Sequence, residues 1–130
     1  MRQLPDQVGI KGLSSGRIYS DQIRVAKRYS ERLRGWMGRR RFAPGEGLLF
    51  PDCNSVHMYF MFASIDVVFL KEAPATAGAP IILEVSSLRR MVRPWRFLPL
   101  ADWKATHTLE LPAGESVAWD LKAGDMLCIG

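Results

Sequence analysis

Two apolar runs lie almost end to end in the middle of this chain, VHMYFMF at 56–62 and SIDVVFL at 64–70. Each has the length and the aromatic or β-branched content of a strand. With only the small residues Ala63 and Ser64 at the join, they predict a hairpin or one bent strand. Neither run alternates cleanly between apolar and polar residues, so both faces of such a strand are expected to be covered. Similar short segments recur: one or two strands between Arg17 and Tyr29, LLF before Pro51, Ile81–Ser86, Thr106–Leu111 and MLCI at 126–129. Helical patterns are few. Ser30 stands at an N-cap position, with Glu31 in the first turn and Leu33 and Met37 on one face before Gly38. A second short helix is expected in PAGESVAW, with Pro112 at its first position. Strands that do not alternate with helices exclude a βαβ architecture. The pattern predicts a mainly β fold, a compact antiparallel sandwich or partly closed barrel with two short helices. Residues 1–16 are expected to be irregular and 17–130 to form a single β-rich domain.

A chain of 130 residues buries enough apolar surface for one core. No apolar run approaches the roughly 20 residues of a membrane span. The opening MRQLPDQVGIKGLSSGRIY lacks the apolar stretch of an export signal, so a cytoplasmic location is expected. Cys53 and Cys128 stand in segments of different character, and free thiols are expected rather than a disulfide. The charge is concentrated: residues 24–41 hold eight Lys or Arg against Glu31, and residues 88–104 hold five against Asp102, in a chain whose net charge is only +5. Such windows form either solvated basic edges or an anion-binding face.

The segment CNSVHMYFM at 53–61 carries the densest chemistry. In an extended strand His57, Tyr59 and Met61 share one face and Met58, Phe60 and Phe62 the other. His57 then lies at the strand's start, where it either bonds to a carboxylate or backbone carbonyl or meets a ligand. A Cys53–His57 nucleophilic pair needs a turn, because four extended residues span roughly 13 Å. Asp52, Asn54 and Ser55 are turn formers that allow one. The methionines are read as core filler, since Met58 and His57 alternate away from each other. No CxxC or HxH spacing supports a metal, so neither metal nor cofactor is expected. His107 is read as a strand-surface residue. Asp66 interrupts IDVVFL, and a carboxylate buried by that pattern needs a donor. Arg34 is the candidate, in a structural salt bridge or as the floor of a pocket with His57. RMVRPWRF at 90–97 interleaves arginines with Trp95 and Phe97, which suits either a loop over the end of the fold or contact with an anion or nucleic acid.

Several blocks occur together and in order: RLRGWMGR at 32–39, GEGLLF at 45–50, CNSVHMYFM, IDVVFL at 65–70, RPWR at 93–96 and LELPAGESVAWDLKAGDML at 109–127. In these the chain resembles the bacterial and archaeal family known as domain of unknown function number 192, over about 100 residues. The resemblance implies a compact, jelly-roll-like β domain with one helix after the first strands and one before the last. It brings no catalytic residues, but it marks Arg34, His57 and Asp66 as recurring polar positions. The chain departs from the family pattern in FMFASID, where a basic residue and a proline are expected, and in the longer loop at 72–80.

The leading functional expectation is a non-catalytic binding domain for a small anionic or peptide-like ligand. Its site would draw on Arg34, Ser55, His57 and Asp66, covered by the 88–97 loop with Arg93 and Arg96. The alternatives are a weak nucleic-acid or polyanion-binding module and a small hydrolase using Cys53 or the His57–Asp66 pair. No residue pattern specifies an oligomeric state.

Overall fold

From Ile65 to Leu70 every residue of the central strand is buried, and the fold is organised around that strand. The computed structural model describes residues 4–27, 36, 41–58, 61–74, 79–94 and 98–130. Their elements run β1 (Gln7–Gly12), β2 (Ile18–Val25), β3 (Glu46–Phe50), β4 (Ser55–Val56), β5 (Ile65–Glu72), β6 (Ile81–Val92), β7 (Leu100–Ala101), β8 (His107–Pro112), α1 (Glu115–Ala118) and β9 (Met126–Ile129). Seven of the strands close a barrel in the order β1-β2-β3-β8-β5-β6-β9, with β9 returning to β1 at Ile10–Ile129 and Lys11–Cys128. β4 and β7 form a separate two-stranded ribbon. The expected mainly β sandwich or barrel is thus a barrel, and it is closed. All of its pairings are antiparallel except β2–β3, where Gln22 lies opposite Glu46 in parallel register. A parallel pair needs a long crossover, and residues 26–45 supply it.

Alternation along the strands separates two apolar layers. Val8, Ile10, Ile23, Leu49, Val68, Leu70, Leu83, Leu109, Leu127 and Ile129, contributed by all seven barrel strands, pack in one cluster that fills the lumen. Trp119, just after α1, joins it and stacks on Tyr19 with ring centroids 5.1 Å apart. The opposite faces of β3 and β5 carry Leu48, Phe50, Ile65, Val67 and Phe69 into a second cluster with Trp36, Val56, Met58, Met61, Val92 and Leu100. β5 is buried on both faces because a second layer, including the β4–β7 ribbon, lies on the outside of the barrel. This is why IDVVFL reads as an unbroken apolar run.

Four local expectations are corrected. Residues 7–12, expected to be irregular, form β1 and close the barrel. Among the described residues of VHMYFMF only Val56 lies in a strand: the Met61 N–H donates to the Met58 carbonyl at 3.3 Å, and both methionines enter the outer cluster. Apolar content there recorded burial, not extension. Residues 88–92, expected in a loop, are the second half of the 12-residue β6. Pro112 ends β8 instead of starting a helix, and α1 begins after Gly114, whose φ of 92° is accessible to glycine at little cost. The first expected helix, with Leu33 and Met37, lies outside the described residues.

Gly47 shows how tightly β3 is clamped. A Cβ at this position would stand 2.5 Å from Ile23 Cδ1 and 3.1 Å from Leu111 Cδ2. Gly47→Ala is therefore expected to cost about 1 to 2 kcal/mol by overpacking, read as a lower urea midpoint at unchanged m-value.

Candidate functional site

A polar concavity lies along the end of β6. Leu88, Arg89, Arg90, Met91, Val92, Arg93, Pro94 and Leu100 line a groove of about 630 Å³. Its shape depends on an irregularity in the β5–β6 pairing, where Ile65 faces Val92 but Val67 faces Arg89. Met91 takes a φ of 54°, a conformation unusual for a side chain with a Cβ. Its N–H is held at 2.9 Å by Asp66 Oδ1.

Asp66 is 1% exposed, and both of its oxygens are occupied by the fold. Oδ2 accepts from Gly114 N–H (3.1 Å), Ser116 N–H (3.0 Å) and the Ser116 hydroxyl (2.6 Å). A carboxylate from β5 thus satisfies donors at the start of α1, where no side-chain cap is present. The Ser116 hydroxyl in turn accepts from Arg90 Nε at 3.0 Å, and another Arg90 nitrogen donates to the Leu121 carbonyl at 2.6 Å. The cation linked to Asp66 is Arg90, one hydroxyl removed. Arg34, the expected partner, lies outside the described residues, as does Arg96. Arg90 is committed to α1 and the turn after it. Arg89 donates to the Leu88 carbonyl and lies over the Phe69 ring, 5.9 Å from its centroid. Arg93 is exposed at the groove.

Ser55 and His57 are exposed on the β4–β7 ribbon, away from Asp66. Ser55 pairs with Ala101 and Val56 with Leu100, which also lines the groove. His57 is the next residue in the chain, and neither it nor Ser55 lines the groove. The expected cluster of His57 with Asp66 is not formed: the four donors to Asp66 come from Met91, Gly114 and Ser116, and His57 is not among them. The chain does turn at Asp52 (φ 53°), but the Cys53 thiol donates to the Ser55 carbonyl at 3.1 Å and not to His57.

Two buried polar residues were not anticipated. His107, expected on a strand surface, is 2% exposed. Its Nδ1 accepts from Asp52 N–H at 2.9 Å, so Nε2 carries the proton and donates to Glu72 Oε2 at 3.2 Å. That histidine ties the turn before β4 to the barrel. Glu110 alternates away from lumen residues Leu109 and Leu111 and lies 4% exposed on the outer face, with Leu48 and Val67 as its cross-strand neighbours. Burial pushes its carboxyl up to about 8, with no donor or cation among the described residues offsetting the shift. LELP looks like an ordinary half-exposed strand, and only the outer layer makes its acid buried. At Asp102, burial is outweighed by the hydroxyls of Ser87 and Ser86, the Lys104 N–H and the charge of Arg89, which together hold the carboxyl below its usual range. Among the described residues no group of three or more His, Cys, Asp or Glu converges as a metal site, and no helix is long and apolar enough to cross a membrane.

The sequence profile of the family described as Uncharacterized ACR, DUF192, matches residues 12–129. A UPF0127 protein of Thermococcus sibiricus is 28% identical over 116 residues, covering 86% of this chain and 68% of the relative. Two solved structures share the fold. A candidate transcription regulator from Sinorhizobium meliloti 1021 superposes with a TM-score of 0.73 at 23% identity, covering 93% of this chain and 90% of the other. A protein of unknown function from Novosphingobium aromaticivorans superposes with a TM-score of 0.69 at 21% identity, covering 93% and 82%. At these identities the structures speak to the barrel alone.

Proposed function

This chain belongs to the DUF192 family of uncharacterised proteins, and from that premise we propose that it is a non-catalytic binding domain whose β6 groove takes a small anionic ligand. The observation that carries the reading is the lining: Arg89 and Arg93 flank an apolar floor of Leu88, Val92 and Leu100 in one concavity. Guanidinium groups are suited to carboxylate or phosphate, presenting paired donors in a plane. Arg90, held by Ser116 and Leu121, contributes charge without being free to close on a ligand. Ser55 and His57 do not line the groove and stand on the neighbouring ribbon.

Several features favour binding over chemistry. Among the described residues the groove lining holds no nucleophile, carboxylate or imidazole. Asp66 is saturated with donors, His107 is fixed between a backbone amide and Glu72, and the Cys53 thiol is bonded to a carbonyl.

The test is a thermal-shift titration with phosphate, citrate and short dicarboxylates. A ligand at 100 times its Kd stabilises the native state by about 2.7 kcal/mol, a Tm rise of roughly 10 °C for a domain of this size. Arg93→Ala is expected to leave the unliganded Tm within about 1 °C, since the side chain is exposed, and to remove most of the rise. An equal rise in wild type and variant would exclude the groove.

A further inference from the structure

Three large apolar residues that the protein leaves exposed stand in or next to the segments that build this groove. Met91 is 60% exposed, Leu98 62% and Trp103 82%. Met91 lines the groove itself. Leu98 and Trp103 flank β7, whose Leu100 also lines it. The turn after β7 is fastened to β6, since Asp102 Oδ2 accepts from the hydroxyls of Ser86 (2.8 Å) and Ser87 (2.5 Å), and Asp102 Oδ1 accepts from Lys104 N–H at 2.9 Å. Trp103 and Lys104 are therefore held beside the strand that carries Arg89 and Met91 and leads into Arg93. Single exposed apolar residues are ordinary, but here a tryptophan, a leucine and a methionine are carried by segments that adjoin the strand end bearing the exposed cations Arg89, Arg90 and Arg93. Asp102, the acid among them, has both oxygens engaged in the fold.

Resting on the anion-binding reading of the groove, we propose that its ligand is presented by a surface: this face docks onto an anionic phospholipid membrane. Arg89 and Arg93 would hold a headgroup phosphate, while Trp103, Leu98 and Met91 enter the interfacial layer. The chemistry on each side is complementary. Tryptophan prefers the boundary between headgroups and acyl chains, where its ring is buried and its N–H is hydrated. Basic side chains near an anionic leaflet each raise partitioning roughly fivefold. Neither contribution requires a membrane-spanning segment, and interfacial attachment uses this combination of a cationic rim and inserted apolar side chains.

Full-length protein is sedimented with vesicles of phosphatidylglycerol in phosphatidylcholine, with vesicles of phosphatidylcholine alone, and with an unlabelled single-stranded oligonucleotide as competitor. Binding to the phosphatidylglycerol vesicles is expected, with at least tenfold weaker binding to phosphatidylcholine. Trp103→Ala should weaken vesicle binding about tenfold yet leave the Tm and its response to inorganic phosphate unchanged. Arg93→Ala should weaken both responses. If phosphate still stabilises the protein through Arg93 but the vesicles do not bind, docking is overturned and the groove reading survives. If neither vesicles nor phosphate responds to Arg93→Ala, both fall. Vesicle binding that Trp103→Ala leaves intact, or that the oligonucleotide displaces completely, marks a nonspecific polyanion surface and also overturns the proposal.

Discussion

At pH 7 the Glu110→Gln variant is expected to be more stable than the parent protein by about 3 kcal/mol. Glu110 lies on the outer face of β8 beside Leu48 and Val67, and burial raises its carboxyl from 4.5 to about 8. Below pH 4.5 the acid is protonated in both the folded and the unfolded chain, and it costs the fold no more than an amide would. Between 4.5 and 8 the unfolded chain releases the proton while the folded protein retains it. Stability therefore falls by about 1.4 kcal/mol per pH unit, and the loss levels off above pH 8. Glutamine removes this slope while preserving shape. Urea unfolding at pH 4 should find the two proteins nearly equal, and the same experiment at pH 7 should separate them. A parent protein whose stability is flat from pH 5 to 8 would show that its Glu110 is ionised throughout.

Asp66→Asn is expected to destabilise the fold by about 2 to 3 kcal/mol, the opposite sign for an equally conservative change at an equally buried acid. The reason is local. Asp66 receives four hydrogen bonds, one on Oδ1 and three on Oδ2. An amide has one acceptor oxygen, so in either orientation its NH₂ group opposes at least one N–H, either that of Met91 or those of Gly114 and Ser116. It also weakens the link through the Ser116 hydroxyl to Arg90. Because Asp66 joins β5, the β6 irregularity and α1, the loss should also reach the groove: Met91 is released, and phosphate binding through Arg93 should weaken in parallel. Ser116→Ala, which deletes one of the four bonds, should cost about 1 kcal/mol. An unchanged urea midpoint for Asp66→Asn would contradict this account.

The contrast between these acids shows how much of the site is legible in the sequence. Asp66 stands inside IDVVFL, and a charge in an apolar run announces both its burial and its need for donors. Its donors could not be read, because they come from Met91, Gly114 and Ser116, 25 to 50 residues away. Arg93 lines the groove and belongs to the arginine-rich segment expected there, although that segment begins as strand and not as loop. Glu110 gave no warning, since LELP is the pattern of an ordinary strand with one wet face.

What the sequence by itself determined is the supply of strands. LLF, IDVVFL, Ile81–Ser86, THTLEL and MLCI have β-branched or apolar side chains at strand lengths between turn formers, and each lies in a barrel strand. Local sterics and the period-two alternation of side chains act within a few residues, so they can be read from a few residues. The tertiary structure decided what those strands enclose. Closure through β1, the parallel β2–β3 pairing and the outer layer over β3, β5 and β8 depend on contacts between distant parts of the chain. Those contacts turned the methionines of CNSVHMYFM into an outer core, left its histidine on the surface, buried His107 and Glu110, and placed three arginines on one groove. Burial is a property of what covers a strand, and the covering segments lie elsewhere in the chain.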